Sequence, residues 1–351
     1  MVELSRNDWD SYETSWDFST LSTFSPYHHQ PTLRATYEKV RALWRVMTLD
    51  VQRLEEENNR IFIDAYDLQD ELTPEVPLSE ITLTCNPHYR YNGSKTEEEL
   101  EIQLLTDTIE ELISYAIGCM MGRYSLDEPG LIYAHSGNIG FEPSKYKMFP
   151  ADDDGIIPII DMPWFADDAA NRFVEFMKVA WSPEALEENL KFVADSLNPK
   201  RGEDPTNTIR KYLSVGFFKD HLKTYKKRPI YWLFSSGKQK AFECLVYLHR
   251  YNESTLSRMR SLYVTPLQGN IRSRIEFLDN EQKVATSASG QRKFQKEIEM
   301  LKKKQTELAK FDDELRHYTD MRISLDLDDG VKVNYSKFGN LLAEVKAITG
   351  E

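Results

Sequence analysis

The sequence has no apolar run of the ~18 residues that a membrane-crossing helix needs, and no membrane partner is expected. Its first residues are polar and acidic-aromatic (Asp8, Trp9, Asp10, Tyr12, Glu13, Trp16), unlike the basic and then apolar start of a secretory signal. Cysteine is scarce: Cys85, Cys119 and Cys244 are odd in number and far apart, with no Cys-x-x-Cys pair and no zinc spacing. That usage fits a reduced, cytoplasmic compartment. Fifteen glycines are present, and no two of them are separated by a single residue. A Gly-x-Gly turn, which lets backbone approach a nucleotide-like cofactor, therefore has no place to form.

What is present is ample apolar material: 40% of residues are hydrophobic and 12% aromatic, enough to bury a core and to exclude global disorder. A length of 351 residues implies two or three units. The net charge of −13 argues against nucleic acid as a partner, but the charges are segregated. Residues 205–274 hold fourteen Lys/Arg against three acids, a local +11, whereas residues 151–204 are −8. Such segregation points to one face for a polyanion, against the plainer reading of a solvated surface. The candidate DNA-contacting residues in this window are Arg210, Lys211, Lys219, Lys223, Lys226, Lys227, Arg228, Lys238, Lys240 and Arg250.

Residues 1–31 read as an extended, turn-rich lead-in, and the pair His28-His29 lacks the neighbouring acids or thiols of a metal site. The clearest periodicity follows. Leu33, Tyr37, Val40, Trp44, Met47, Val51, Leu54, Asn58, Ile61, Ala65 and Leu68 alternate spacings of four and three. This a/d seam of about five heptads predicts one helix of about 35–40 residues ending at Thr73-Pro74, with Asn58 as its polar register-setter. A second stripe (Leu267, Ile271, Ile275, Leu278), a break at 285–290, and a third stripe (Phe294, Ile298, Leu301, Leu308, Leu315) predict a helical hairpin near 267–318. Packing of the two arms on each other is preferred to a homodimer. Between them, 81–85 alternates like a strand, and Thr96 caps a helix over 96–121. Short strands and loops are expected over 131–160, helices near 164–180, 183–197 and 205–225, and strands at 230–234 and 241–248. In the tail, a 328–330 turn precedes a short strand at 331–333 and a final helix. The fold class is α+β and helix-rich: a mixed α/β target-recognition-like region (76–266) between a lead-in with its long heptad-patterned helix (1–75) and a helical hairpin with tail (267–351).

Asn86-Pro87-His88-Tyr89 invites comparison with the Asn-Pro-Pro-aromatic site that grips a flipped adenine, but its third residue is His, and a structural turn is the better reading. Ser235-Ser236-Gly237-Lys238 offers backbone N–H groups and a lysine to a phosphate, or is simply a hairpin turn. Trp232 reads as core rather than as a stacking platform. Asp152-Asp153-Asp154 lacks calcium-loop spacing and reads as a solvated turn; no metal is expected.

Longer words are more specific. Asn59-Arg60-Ile61-Phe62-Ile63-Asp64, Ile117-Gly118-Cys119-Met120, Gly122-Arg123-Tyr124-Ser125-Leu126-Asp127, Phe217-Phe218-Lys219-Asp220-His221, Arg228-Pro229-Ile230-Tyr231-Trp232-Leu233-Phe234 and Leu325-Asp326-Leu327-Asp328-Asp329-Gly330-Val331 occur in this order. Together with residues 8–18 they resemble the C-terminal half of the adenine-specific DNA methyltransferases of BREX phage defence (PglX-type). The resemblance covers nearly the whole chain. It implies a part that docks on duplex DNA beside a methyltransferase domain and helps choose the target adenine. The parent family's S-adenosylmethionine site is expected upstream of the resembled part, so this chain alone is expected to bind no cofactor and to be inactive. Implied partners are the methyltransferase domain, other BREX subunits and phage DNA-mimic inhibitors. A protein-docking scaffold with no DNA affinity of its own is the alternative.

Overall fold

The computed structural model describes residues 1–91 and 93–350. In chain order its helices are α1 (Val2–Trp9), α2 (Leu33–Ala65), α3 (Pro87–Arg90), α4 (Glu97–Met120), α5 (Ala169–Ala180), α6 (Leu186–Ser196), α7 (Pro205–Val215), α8 (Phe217–Thr224), α9 (Thr255–Arg258), α10 (Thr265–Val284), α11 (Ala288–Met321), α12 (Gly330–Ser336) and α13 (Val345–Thr349). Three strands, β1 (Ile156–Pro158), β2 (Tyr231–Ser235) and β3 (Glu243–Tyr247), form one antiparallel sheet in the order β1-β3-β2. The fold is thus α+β and rich in helix, as the periodicities require. No helix among the described residues is long and apolar enough to cross a membrane. The chain divides into two compact units. The first comprises Met1–Ala116, Glu128–Leu131 and Val174–Thr208; the second comprises Ile117–Asp127, Ile132–Phe173 and Ile209–Glu351.

In the first unit α2 carries the heptad seam. Thr32 caps its start by accepting from the Ala35 N–H, and the Leu33 N–H donates to the buried Asn189 of α6 at 2.8 Å. Leu33, Tyr37, Val40, Trp44 and Val51 are buried, and Arg41 pairs with Glu101 of α4 at 2.5 Å. The seam is buried for only half its length: Asn58 and Ile61 are exposed, and the helix stops at Ala65 rather than at Thr73-Pro74. Thr96 and Glu99 begin α4 with a reciprocal capping box, each accepting the other's backbone N–H.

Two expectations fail here for identifiable reasons. The lead-in is not all extended, because residues 2–9 form α1, and the buried Asp8 in its last turn reaches residues far along the chain. Asp8 accepts from the N–H groups of Thr84 (2.6 Å) and Cys85 (2.9 Å). Those donors would have fed a strand ladder, so 81–85 buries Ile81, Leu83 and Cys85 without forming a strand.

In the second unit β3 is central and buried at every position. Leu245 lies opposite Ile157 of β1 and Leu233 of β2. Trp232 is core: it is 2% exposed, its indole N–H donates to the Pro229 carbonyl, and Tyr335 and Phe338 meet its ring edge-to-face. Those rings come from the tail, where the expected 331–333 strand is instead α12. The amide of Asn334 donates to the Gly330 carbonyl one turn back and to the Asp326 carbonyl, which favours a helical turn, and Val333 is left exposed. The hairpin forms as expected from α10 and α11, with Leu267, Ile271, Ile275, Leu278, Ile298, Leu301, Leu308 and Leu315 buried. The predicted 205–225 helix is two helices, broken at Gly216.

Candidate nucleic-acid interface

All ten candidate cations lie in the second unit, and the structure sorts them into two groups. Three are used internally. Arg210 is 5% exposed, and its Nη1 lies 2.6 Å from the carboxylate of Asp168, which is itself wholly buried. Its Nη2 donates to Asn171. Arg250 is 1% exposed: it donates to the carbonyls of Asp152 (2.5 Å) and Asp153 (2.9 Å) and lies over the Phe141 ring. Neither guanidinium faces solvent, which corrects their assignment to a DNA face. Sequence charge cannot separate them from their neighbours, because an arginine that braces a core looks the same in a list of residues. Lys240 donates to the Ser214 carbonyl (2.6 Å) and pairs with the buried Glu243 (2.9 Å), tying the β2–β3 connection to α7.

The other seven are exposed: Lys211 on α7, Lys219 and Lys223 on α8, Lys226, Lys227 and Arg228 in the turn after α8, and Lys238 in the β2–β3 connection. None of them makes an ion pair with a described residue. The spacing of four puts Lys219 and Lys223 on one face of α8. The turn that follows is fixed from both sides. The Lys227 N–H donates to the Leu222 carbonyl (2.7 Å), ending α8, and Lys226 and Lys227 are both left-handed, with φ of 49° and 61°. Two successive non-glycine residues in that region carry a cost of order 1–2 kcal/mol each and persist only where the surroundings impose them. The surroundings here are His221 on α8, whose Nε2 accepts from the N–H groups of Ile230 (3.1 Å) and Tyr231 (3.2 Å). Burial and, second, the charge of Arg123 push the His221 imidazole down to about 3, so it stays a neutral acceptor.

The β2–β3 connection is not an open phosphate cradle. Glu307 of α11 occupies it, accepting from the Ser236 hydroxyl (2.8 Å), the Gln239 N–H (2.7 Å) and the Ala241 N–H (3.2 Å). Within the motif the Ser236 hydroxyl holds that carboxylate, the Ser236 N–H donates to the Phe242 carbonyl and the Gly237 N–H to the Ser235 hydroxyl, which favours the hairpin-turn reading; Gly237 and Lys238 face solvent. Asn86, likewise, is committed to structure. It is 0% exposed; its Oδ1 caps α3 by accepting from the His88 N–H, and its Nδ2 donates to the Leu78 and Ile81 carbonyls. An amide so engaged cannot grip a target base, so these residues do not fit a methyl-transfer site. The Asp152-Asp153-Asp154 turn is more than a solvated one: Asp152 accepts from the Asp154 and Gly155 N–H groups while its carbonyl holds Arg250. No group of His, Cys, Asp and Glu that could hold a metal ion occurs among the described residues.

Charge counting missed Arg123, which lies outside the basic window. It is half-buried at the end of α4, and its Nε and Nη1 donate to the hydroxyls of Tyr124 (3.0 Å) and Tyr247 (3.3 Å).

No family model matches the chain. Among curated proteins it is 49% identical, over 99% of its length, to the adenine-specific methyltransferase BrxX of Escherichia coli O9:H4 (strain HS). It is 40% identical, over 96% of its length, to the adenine-specific methyltransferase PglX of Lacticaseibacillus casei (strain Zhang). The matches cover 29% and 27% of those two proteins, so the chain spans less than a third of either.

Proposed function

We propose that this chain, a close homologue over nearly its whole length of part of the adenine-specific methyltransferases BrxX and PglX, engages duplex DNA for such a methyltransferase of a BREX phage-defence system. In this reading it helps to present the target adenine and leaves the methyl transfer to another region. The observation that carries the proposal is the set of seven exposed cations on α7, α8 and the two following turns that have no acidic partner in a protein of net charge −13. An acidic protein has carboxylates to spare for pairing; cations kept clear of them remain available to phosphates. Arg228, whose fork matches the O6 and N7 of guanine, is the one of the seven without lysines' limitation to point-charge contact. The test is duplex binding at several salt concentrations by the wild type and by the Lys226→Ala, Lys227→Ala, Arg228→Ala triple variant. Loss of the two lysine–phosphate contacts flattens the slope of log K against log salt by about 1.8, and by up to about 2.7 where Arg228 also neutralises a phosphate. A triple variant that binds duplex as the wild type does at every salt concentration contradicts the assignment.

A second reading, docking of partner protein, rests on the far end of α2. There Ile61 (61%), Phe62 (55%) and Tyr66 (70%) are exposed. Such side chains suit a protein partner such as the catalytic region of a methyltransferase or another defence subunit, and both readings hold together if α2 docks protein while α8 meets DNA. A complex with such a region that survives Ile61→Ser and Phe62→Ser unchanged removes the second reading.

A further inference from the structure

The half-buried Arg123 differs in its surroundings from Arg41, Arg90, Arg210 and Arg250. Arg41 pairs with Glu101, Arg90 with Asp107 and Glu111, and Arg210 with Asp168, while Arg250 is wrapped by carbonyls. Arg123 has no carboxylate within ion-pair distance among the described residues, and its Nη2 makes no hydrogen bond to them. What surrounds it is aromatic. Its guanidinium lies 5.2 Å from the centre of the Tyr124 ring. A row of rings runs beside it: Tyr225 to His221 (4.7 Å between centres), His221 to Tyr231 (4.9 Å), Tyr231 to Tyr247 (5.6 Å) and Tyr247 to His249 (5.1 Å).

The local sequence builds this cage deliberately in steric terms. Gly122, with φ of 76°, ends α4, and the N–H groups of Arg123 and Tyr124 both return to the Gly118 carbonyl. A Cβ on Gly118 would strike the Tyr124 ring, so the glycine is what allows that ring to lie under Arg123. Taking a guanidinium partly out of water without a counter-ion is unfavourable, and aromatic faces offset only a fraction of that cost. The helix C-terminus adds a partial negative charge, and hydroxyl oxygens accept two of the five N–H groups. A full negative charge is still wanting. Tyr225 at one end of the row is followed directly by Lys226, Lys227 and Arg228, the exposed cations of the turn after α8.

The Tyr247 hydroxyl, which accepts from Nη1, gives its own proton to the Tyr133 carbonyl (2.7 Å), so the donor left for an anion is Arg123 Nη2. We propose that Arg123, through Nη2, forms an oxyanion pocket that takes a single phosphodiester of the bound DNA. The pocket rests on the DNA reading above and deepens it: the exposed cations supply the long-range attraction, and Arg123 fixes one phosphate in register against the aromatic row. His249, which burial and then the charges of Arg123 and His135 hold down at about 4, reports on the pocket, because an anion on Arg123 relieves part of that repulsion.

The chemistry of the pocket is tested with inorganic phosphate and its source with duplex DNA. In the wild type, phosphate at constant ionic strength raises the His249 titration midpoint read by NMR, and chloride does not. Arg123→Gln abolishes that response; Arg123→Lys, which keeps the charge, retains part of it and serves if the glutamine variant does not fold. With duplex, Arg123→Gln weakens binding by about fivefold to tenfold and flattens the salt slope by about 0.9, one phosphate contact. A wild-type His249 midpoint indifferent to phosphate overturns the pocket. A phosphate response with a duplex slope unchanged in Arg123→Gln overturns the phosphodiester as its ligand. A phosphate response that persists while the Lys226, Lys227, Arg228 triple variant binds duplex normally leaves Arg123 standing and refutes only the DNA face assigned to the turn.

Discussion

Arg210→Met removes the guanidinium from a carboxylate, that of Asp168, which is 0% exposed. Asp168 keeps an Asn171 N–H at 2.9 Å but loses its counter-ion. Both partners are shielded from solvent, so no discount for screening applies, and stranding one member of such a pair costs about 3–5 kcal/mol. For a folding unit of 150–250 residues that corresponds to a melting temperature lower by on the order of 10 °C. Denaturant unfolding with the linear extrapolation measures it directly. The double variant Arg210→Met, Asp168→Leu recovers most of the loss, since two apolar side chains in place of the pair leave no buried charge. At a temperature where the single variant is folded, its duplex affinity and salt slope match the wild type. An Arg210→Met protein that unfolds within about 1 kcal/mol of the wild type yet binds DNA less well refutes the reasoning, and would restore Arg210 to the DNA face.

Glu307→Ala leaves three donors of the β2–β3 connection without their acceptor and lowers stability by about 2–3 kcal/mol, read by denaturant unfolding. His221 gives a pH signature. Its folded value of about 3 lies below the unfolded value near 6.5, so between the two the unfolded chain holds the extra proton. The stability it contributes is full above about pH 6.5 and is lost as pH falls toward 3, by up to about 1.4 kcal/mol per unit. Asp154, raised to about 8 by burial, acts with the opposite sign over pH 4–8, so the His221 effect is read as the difference between the wild type and His221→Gln. Glutamine preserves an acceptor for Ile230 and Tyr231, and the variant's stability falls less steeply below pH 6.5. On the proposed reading, calorimetry with S-adenosylmethionine is expected to give no heat of binding by this chain; saturable micromolar binding would place a cofactor site within it.

Much of the fold is legible where one physical signal dominates. The first half of the α2 seam and the α10–α11 hairpin follow from a period that a single buried face enforces, and the β2–β3 pair from two short apolar runs buried on both faces. The signal fails where a distant side chain intervenes. The alternation at 81–85 is a true record of burial, but Asp8 takes the N–H groups that a neighbouring strand would need, and nothing local announces it. Residues 331–333 look like strand to propensity and become helix because Asn334 bonds back to Gly330. At the candidate site, the segregation of charge correctly points to α8 and its turn as rich in free cations. It also sweeps in Arg210, which neutralises a buried acid, and Arg250, which donates to carbonyls, and passes over Arg123, whose surroundings are Tyr124 beside it and tyrosines from the 225–231 stretch and β3. Charge counts register how many cations there are; only the fold tells which of them are already spoken for.

The most direct measurement is the affinity of the wild-type chain for duplex DNA as a function of salt. Cations that neutralise several phosphates give a log–log slope of roughly −3 to −6, with binding strongest at low salt. No binding at about 50 mM salt, or binding with a slope near zero, would mean that the free cations of α8 and its turn do not meet a polyanion.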